Sequence, residues 1–421
     1  MKTLVKPLPS SFLLFVLSSS MAVAQIVFPA KMPQTKPQQP LSAAMHRLYD
    51  QWNPHEDRNN ELYSNFKYSR LSGLNYNKEH ALVSRRDPSK VIKIEDTYYV
   101  WYTKRETSTP PSGPKNANDT IPSADWDLCD IWYATSKDGF QWQEQGIAVK
   151  RPKKRTYGYR SVATPDILVW KNKYYLYFQG FNAIPLKNGD RAAATMAVAD
   201  SPDGPWKSSK KVIVDFGKED EWDSNAIHDP YPLIYNNKVY LYYKGSPGKG
   251  GKEGTLVRAQ GVAIADQPEG PFVKSPLNPV LNSGHETGLF PFKEGIAAIV
   301  SLDGPEKNTV QYAPDGINFE MASIIQMPPI APGPFVPDAF ANNKDGRGIT
   351  WGLMHVDAFD KNNKKYCKLV RFDCDLSLDV DYKDFKRNNL RHSEAVYFQN
   401  NIALKPYQKN RALKDASKLE N

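Results

Sequence analysis

The sequence predicts an all-β chain, a five-bladed β-propeller with a short helical extension at its N-terminus. Three observations carry that expectation. The 421 residues include 33 prolines, 25 glycines and 23 tyrosines, a composition of many turns and aromatic strands. A unit of polar turn plus aromatic strand repeats along the chain. A second marker, an acidic residue and a glycine followed by an aromatic, recurs later in four of the units.

The first residues read as a targeting segment. Lys2 and Lys6 precede the short apolar core Phe12–Leu17, and Ala22-Val23-Ala24 has the small-x-small form of a cleavage site, so residues 1–24 are expected to be a signal peptide and the protein exported, to the periplasm or beyond. The apolar core is too short to span a bilayer, and no later stretch approaches that length, so no membrane partner is expected. Residues 25–60 read as a Pro/Gln/Lys-rich linker followed by a helix. Leu41, Met45, Leu48, Tyr49 and Trp52 follow helical spacing and Pro54 closes it. An isolated amphipathic helix needs a surface to cover, on the main domain or on a partner subunit.

Residues 61–421 read as the propeller. Asp96–Tyr102, Asn172–Phe178 and Asn237–Tyr243 are three copies of the aromatic strand, and Ile296–Val300 and Ile349–Gly352 are weaker ones. The turn markers sit at Asp138-Gly139, Asp203-Gly204, Glu269-Gly270 and Asp315-Gly316. The fifth unit lacks a clean marker, and a terminal strand within Ala395–Gln399 is expected to complete it.

The formal charge of +9 concentrates at Lys150–Arg155 and in the tail after Lys405. No nucleic-acid-binding module accompanies these runs, so nucleic acid is not an expected partner. The three cysteines, Cys129, Cys367 and Cys374, are an odd number and describe no disulfide scaffold.

The chemistry is expected where each unit begins. The segments Arg86-Asp87-Pro88, Thr164-Pro165-Asp166, His228-Asp229-Pro230, His285-Glu286-Thr287 and Pro337-Asp338-Ala339 each carry one carboxylate. In a propeller the innermost strands surround the axis and start at one face, so carboxylates in register would ring the mouth of the channel. Crowded carboxylates push their pKa values apart, so one stays ionised while another group carries a proton. That division suits glycoside hydrolysis. The same groups could hold a structural or site-bound divalent cation, although EF-hand spacing, HExxH and CxxC are all absent. Trp126, Trp132, Tyr159 and Tyr231 are candidate sugar-stacking residues, and the Pro/Ser/Asn-rich loop Glu106–Asp125 is expected to wall the pocket.

The motifs Ser84-Arg85-Arg86-Asp87-Pro88-Ser89-Lys90, Ala226-Ile227-His228-Asp229-Pro230-Tyr231-Pro232 and Gly284-His285-Glu286-Thr287-Gly288, with Ser42, Ala44 and Arg47 in the helix, give the chain its resemblance to glycoside hydrolase family 117. That family comprises α-1,3-3,6-anhydro-L-galactosidases acting on neoagaro-oligosaccharides from agar. The resemblance implies an exo-acting, inverting enzyme needing no cofactor, with Asp87 as general base and His285 as general acid. Asp229 and Glu286 would complete the acidic cluster. Trp126, Thr164, Gln179 and His228 would contact substrate, and Asp166 is a further candidate. The helix would exchange between subunits of a homodimer. From the residues alone, the acid is either His285 or Glu286.

Overall fold

The computed structural model describes residues 27–50, 60–78, 81–187, 189–209, 211–247, 258–283, 285–342, 345–360 and 362–378. The predicted signal peptide and the expected strand within 395–399 lie outside them. Among the described residues the chain is nearly all β, and no helix is long and apolar enough to cross a membrane.

The strands pair into five antiparallel runs, inner strand first. The first is Ala81–Arg86 with Ile92–Ile94, then Thr97–Thr107, Cys129–Ser136 and Trp142–Val149. The second is Ser161–Trp170, Lys173–Phe181, Ala192–Ala199 and Lys207–Ser208. The third is Ala226–Tyr235, Lys238–Ser246, Ala259–Ala265 and Val273–Lys274. The fourth is Gly288–Lys293, Gly295–Val300, Thr309–Ala313 and Glu320–Ile324. The fifth is Gly333–Pro334, Gly346–Phe359, Lys365–Ser377 and Lys67–Arg70. Among the described residues its outer strand comes from the N-terminal side of the domain.

Each run packs on the next, and the fifth returns to the first. Two glycines permit the last approaches. A Cβ on Gly333 would meet the Ser89 carbonyl oxygen at 2.1 Å, and one on Gly288 would meet Pro332 Cγ at 2.7 Å. Val91 N–H donates to the Pro334 carbonyl across the closure at 3.0 Å. Between blades, flat aromatic and aliphatic side chains fill the wedges: Trp101, Ile131, Ile167, Leu176 and Phe178 form one such cluster.

The N-terminal segment is part of this body. Phe28 is buried, Ala30 N–H donates to the Asp220 carbonyl, and Pro29 bridges Glu221, so the stretch read as a linker lies along the third blade. The helix is shorter than its periodicity suggests, spanning Ala43–Arg47 with Ser42 as its N-cap. Residues 51–59 lie outside the described set.

Candidate active site

Five residues set the geometry of the channel mouth. Asp87, Thr164, Asp229, Glu286 and Ala331 each begin an inner-strand turn with φ of 49°, 50°, 49°, 53° and 49°. All five are left-handed and none is glycine, a conformation costing about 1–3 kcal/mol each and persisting only where the surroundings enforce it. In the second and third blades the ladder slips at these points, between Ala163 and Asp166 and between His228 and Tyr231. Such a bulge re-aims a side chain that regular alternation would bury in the blade.

This register revises the expected ring of five carboxylates. Three of the five positions carry one: Asp87, Asp229 and Glu286. The second carries Thr164, and Asp166 lies two residues further in. There it takes the Lys90 ammonium and accepts the Lys90 N–H at 2.9 Å. Lys90 also donates to the Pro232 carbonyl at 2.9 Å and lies 3.8 Å from the Tyr231 ring centroid. Burial works against both charges, lowering Lys90 to about 8 and raising Asp166 despite their pairing. Asp166 and Tyr231 thus belong to a buried plug below the mouth and are not placed to touch a sugar there. The fifth position is Ala331, and Asp338 pairs instead with Arg347.

Arg86 ties the first and fourth blades together. Its Nε donates to Asp87 at 2.8 and 3.0 Å and its NH2 to Glu286 Oε1 at 2.9 Å. Its guanidinium lies 5.1 Å from the Trp126 ring centroid. Asp87 N–H donates to His355 Nδ1 at 3.2 Å. That bond requires Nδ1 to be an acceptor, which matches a His355 pKa lowered by burial, so the close approach of Nδ1 to Asp87 Oδ1 is not a charged pair. Thr103 and Thr164 hydroxyls lie 3.3 and 3.4 Å from Asp87 Oδ2. Gln179 continues this line: its Nε2 donates to Thr164 Oγ1 at 3.1 Å and its Oε1 accepts the Asp229 N–H at 2.9 Å. A single hydrogen-bonded chain therefore runs from Asp87 through the second blade to Asp229.

His285 stands beside Glu286 with its side chain 30% exposed. Nδ1 is 3.3 Å from Asp303 Oδ2 and Nε2 is 3.2 Å from Glu286 Oε1. Burial opposes the imidazolium, but the Glu286 carboxylate and the Asp303 bond outweigh it and push the pKa up to about 9. For Glu286, burial favours the neutral acid. The adjacent His285 imidazolium and the Arg86 guanidinium more than offset it, so the carboxyl lies well below its usual range. Asp229 goes the other way, raised by burial, with Lys244 Nζ 3.7 Å from Oδ2. Burial and the Lys244 charge hold His228 neutral. Several buried polar atoms here have no hydrogen-bond partner: Asp229 Oδ2, Glu286 Oε2, His228 Nε2 and Thr287 Oγ1. Buried groups left unpaired are costly unless a ligand or water meets them, so these atoms outline a polar binding surface.

Trp126 reaches this surface, with its Nε1–H 3.4 Å from Asp190 Oδ1. Trp132 does not, being covered by the Lys104 ammonium at 3.4 Å from its ring centroid. The expected wall loop is anchored at its end by Asp125, which accepts from Arg105 at 2.8 Å. Asp87, Glu286 and His355 bring one potential ligand atom each to within 4.8 Å of one another and could hold a cation. Arg86 already supplies positive charge to both carboxylates, which a cation would duplicate. All three cysteines are free and buried. Sequence reasoning passed over Arg86, Thr103, Asp303 and His355. Arg86 stood inside a quoted motif, whereas His355 sits mid-strand in an apolar run and carries no signal.

A solved structure of Zg3597, a family 117 glycoside hydrolase produced by the marine bacterium Zobellia galactanivorans, is 52% identical to this chain, with a TM-score of 0.74 over 81% of this chain and 99% of that one. The chain belongs to glycoside hydrolase family 117. The family model for glycosyl hydrolases family 43 also matches residues 82–258 of this family 117 chain. A structure described as a glycoside hydrolase, 12% identical, has a TM-score of 0.51 over 73% of this chain and 92% of that one, a likeness of fold alone. No curated protein matches.

Proposed function

We propose that this glycoside hydrolase removes 3,6-anhydro-L-galactose from the non-reducing end of neoagaro-oligosaccharides, acting at the α-1,3 linkage with inversion. The observation that carries the mechanism is the division of charge between His285 and Glu286. Glu286 is ionised, shares Arg86 with Asp87 and lies close to it. Two carboxyl groups of an inverting pair stand about 6.5–9.5 Å apart, with room for water between them. Asp87 and Glu286 bring an oxygen each to within 4.8 Å and share one guanidinium, which leaves little room for a water between them and favours His285 over Glu286 as proton donor.

In this reading Asp87 takes a proton from water as the water oxygen attacks the anomeric carbon. The glycosidic C–O bond breaks, and the departing oxygen receives the proton from the imidazolium. Asp303 holds Nδ1, so Nε2–H is the proton offered. Asp229, Thr164, Gln179 and His228 bind the sugar hydroxyls, with Trp126 against the ring. The unpartnered atoms of Asp229 and His228 support these assignments. No cofactor is required.

The competing reading is a propeller glycosidase of another specificity, an α-L-arabinofuranosidase or β-xylosidase. Purified protein is incubated with neoagarobiose and, separately, with aryl α-L-arabinofuranoside and aryl β-xyloside. Monosaccharide release from neoagarobiose is the expected result. Activity confined to either aryl glycoside would replace the substrate assignment, and no release from any would point to a glycan-binding role. Export with cleavage after Ala24 rests on the N-terminal pattern, and the mass of the secreted protein tests it. A homodimer through exchange of the Ser42–Arg47 helix rests on the family motif. Deleting residues 25–54 should then give a monomer by light scattering, and an unchanged mass would count against exchange.

A further inference from the structure

The N-terminal helix docks on the two loops that hold His285. The first loop runs from Pro279 into His285, the second from Leu302 to Glu306, and His285 itself bridges Leu302. The loops are packed so closely that a Cβ on Gly304 would meet the Asn282 carbonyl oxygen at 2.2 Å and Ser283 Oγ at 2.8 Å. The helix grips both. Ser42 donates its hydroxyl to the Pro279 carbonyl, and Asn282 Nδ2 donates to the Ala44 carbonyl at 2.7 Å. Arg47 reaches the second loop, where Nε and NH2 donate to the two oxygens of Glu306 at 2.8 and 3.1 Å. NH1 donates to the Phe319 carbonyl at 2.7 Å, and NH2 approaches Gln311 Oε1 at 3.3 Å. Arg47 and Glu306 side chains are 8% and 7% exposed, so this fork is a buried two-point contact. Glu306 is fixed from its other side by Gln311 Nε2 at 3.0 Å. Three residues before Glu306 stands Asp303, the partner of His285 Nδ1, in a left-handed turn with φ of 57°.

We propose that Arg47 is a positioning residue for His285, and that the helix is the clamp holding the Asp303 loop against the His285 loop. The inference rests on the assignment of His285 as proton donor. A bound group displaced by about 1 Å loses on the order of 10²-fold in rate, so a clamp two contacts away from the chemistry still governs it.

The test compares full-length wild type, Arg47→Ala, Arg47→Lys and Asn282→Ala. Each is measured for kcat and KM on neoagarobiose and for amide hydrogen exchange in peptides covering Pro279–Ser283 and Leu302–Glu306. The inner strand Ala226–Tyr235 serves as internal reference. Arg47→Ala is expected to lower kcat by about 10²-fold with KM nearly unchanged, and to speed exchange in the two loops but not in the reference strand. Arg47→Lys, a point charge without the fork, should recover part of both. Asn282→Ala, which removes a tie without burying an unpaired charge, should show the same pattern more weakly. If exchange stays at wild-type rates in both loops, or rises equally in the reference strand, the clamp is refuted and Arg47 is an ordinary fold contact. Local loosening with unchanged kcat would refute the positioning role as well. If wild type releases nothing from neoagarobiose but the loops loosen selectively, the clamp stands and the substrate assignment fails.

Discussion

The mouth and the throat of the channel are built from the same inner strands, two or three residues apart, and they do opposite things with charge. At the mouth, Asp87, Asp229 and Glu286 occupy left-handed turns and retain unpartnered oxygens or a shared guanidinium. At the throat, Asp166 and Lys90 pair with each other and are closed over by Tyr231 and the Pro232 carbonyl. A step of two residues along a strand is about 7 Å. That short distance separates a carboxylate available for chemistry from one consumed in holding three blades together.

Substitutions can break that contrast, and the largest effect belongs at the mouth. Asp87→Asn keeps the shape and removes the base. Turnover should fall by about 10⁴-fold, the upper range for a general base, with the melting temperature near wild type. A variant that unfolds instead would make Asp87 a throat-like structural group. Asp166→Ala should do the reverse. Leaving Lys90 buried and unpaired costs about 3–5 kcal/mol in denaturant unfolding, while KM of the folded fraction stays close to wild type. A raised KM with normal stability would restore Asp166 to the sugar site.

His285→Ala should reduce kcat by about 10²-fold or more, and Glu286→Gln by less. If Glu286→Gln is dead while His285→Ala is nearly active, the two roles are exchanged. The pH profile sharpens this further. His285 has its folded pKa raised above the ordinary 6.5 to about 9, so the acid form is fully present below 6.5 and disappears as pH rises through about 9. The kcat/KM curve should therefore fall on its alkaline side near pH 9. The ion pair's contribution to stability should be lost over the same window. In Glu286→Gln the alkaline limb should move toward neutral pH. The smallest effect is expected from Thr164→Val, which keeps the branched shape and removes the 3.4 Å contact to Asp87 and the acceptor of the Gln179 amide. A loss of about 1–2 kcal/mol, roughly 5- to 30-fold in kcat/KM, is the scale of two such hydrogen bonds.

What the sequence determined by itself was periodic or contiguous. The aromatic strands and Gly turns announce antiparallel sheets because alternation and turn chemistry are local properties. Asp87, Asp229, His285 and Glu286 were legible because each lies in a short motif beside a strand start. Other features arose only from closing the ring. Thr164 and Ala331 share the backbone state of Asp87, yet no residue type announces φ near 50° in a threonine or an alanine. Lys67–Arg70 completes the last blade because the chain's early segment is the one that reaches its open edge. His355 and Arg86 acquire their roles by facing Asp87 and Glu286, respectively, from far away in sequence, and Asp303 by facing His285 across the next loop. Whether His285 or Glu286 gives up the proton is likewise a tertiary question, and the proposal of His285 rests on the surroundings of the two groups. A pKa is set by what surrounds a group in space, and here the His285 imidazolium and the Arg86 guanidinium from the first blade keep Glu286 ionised.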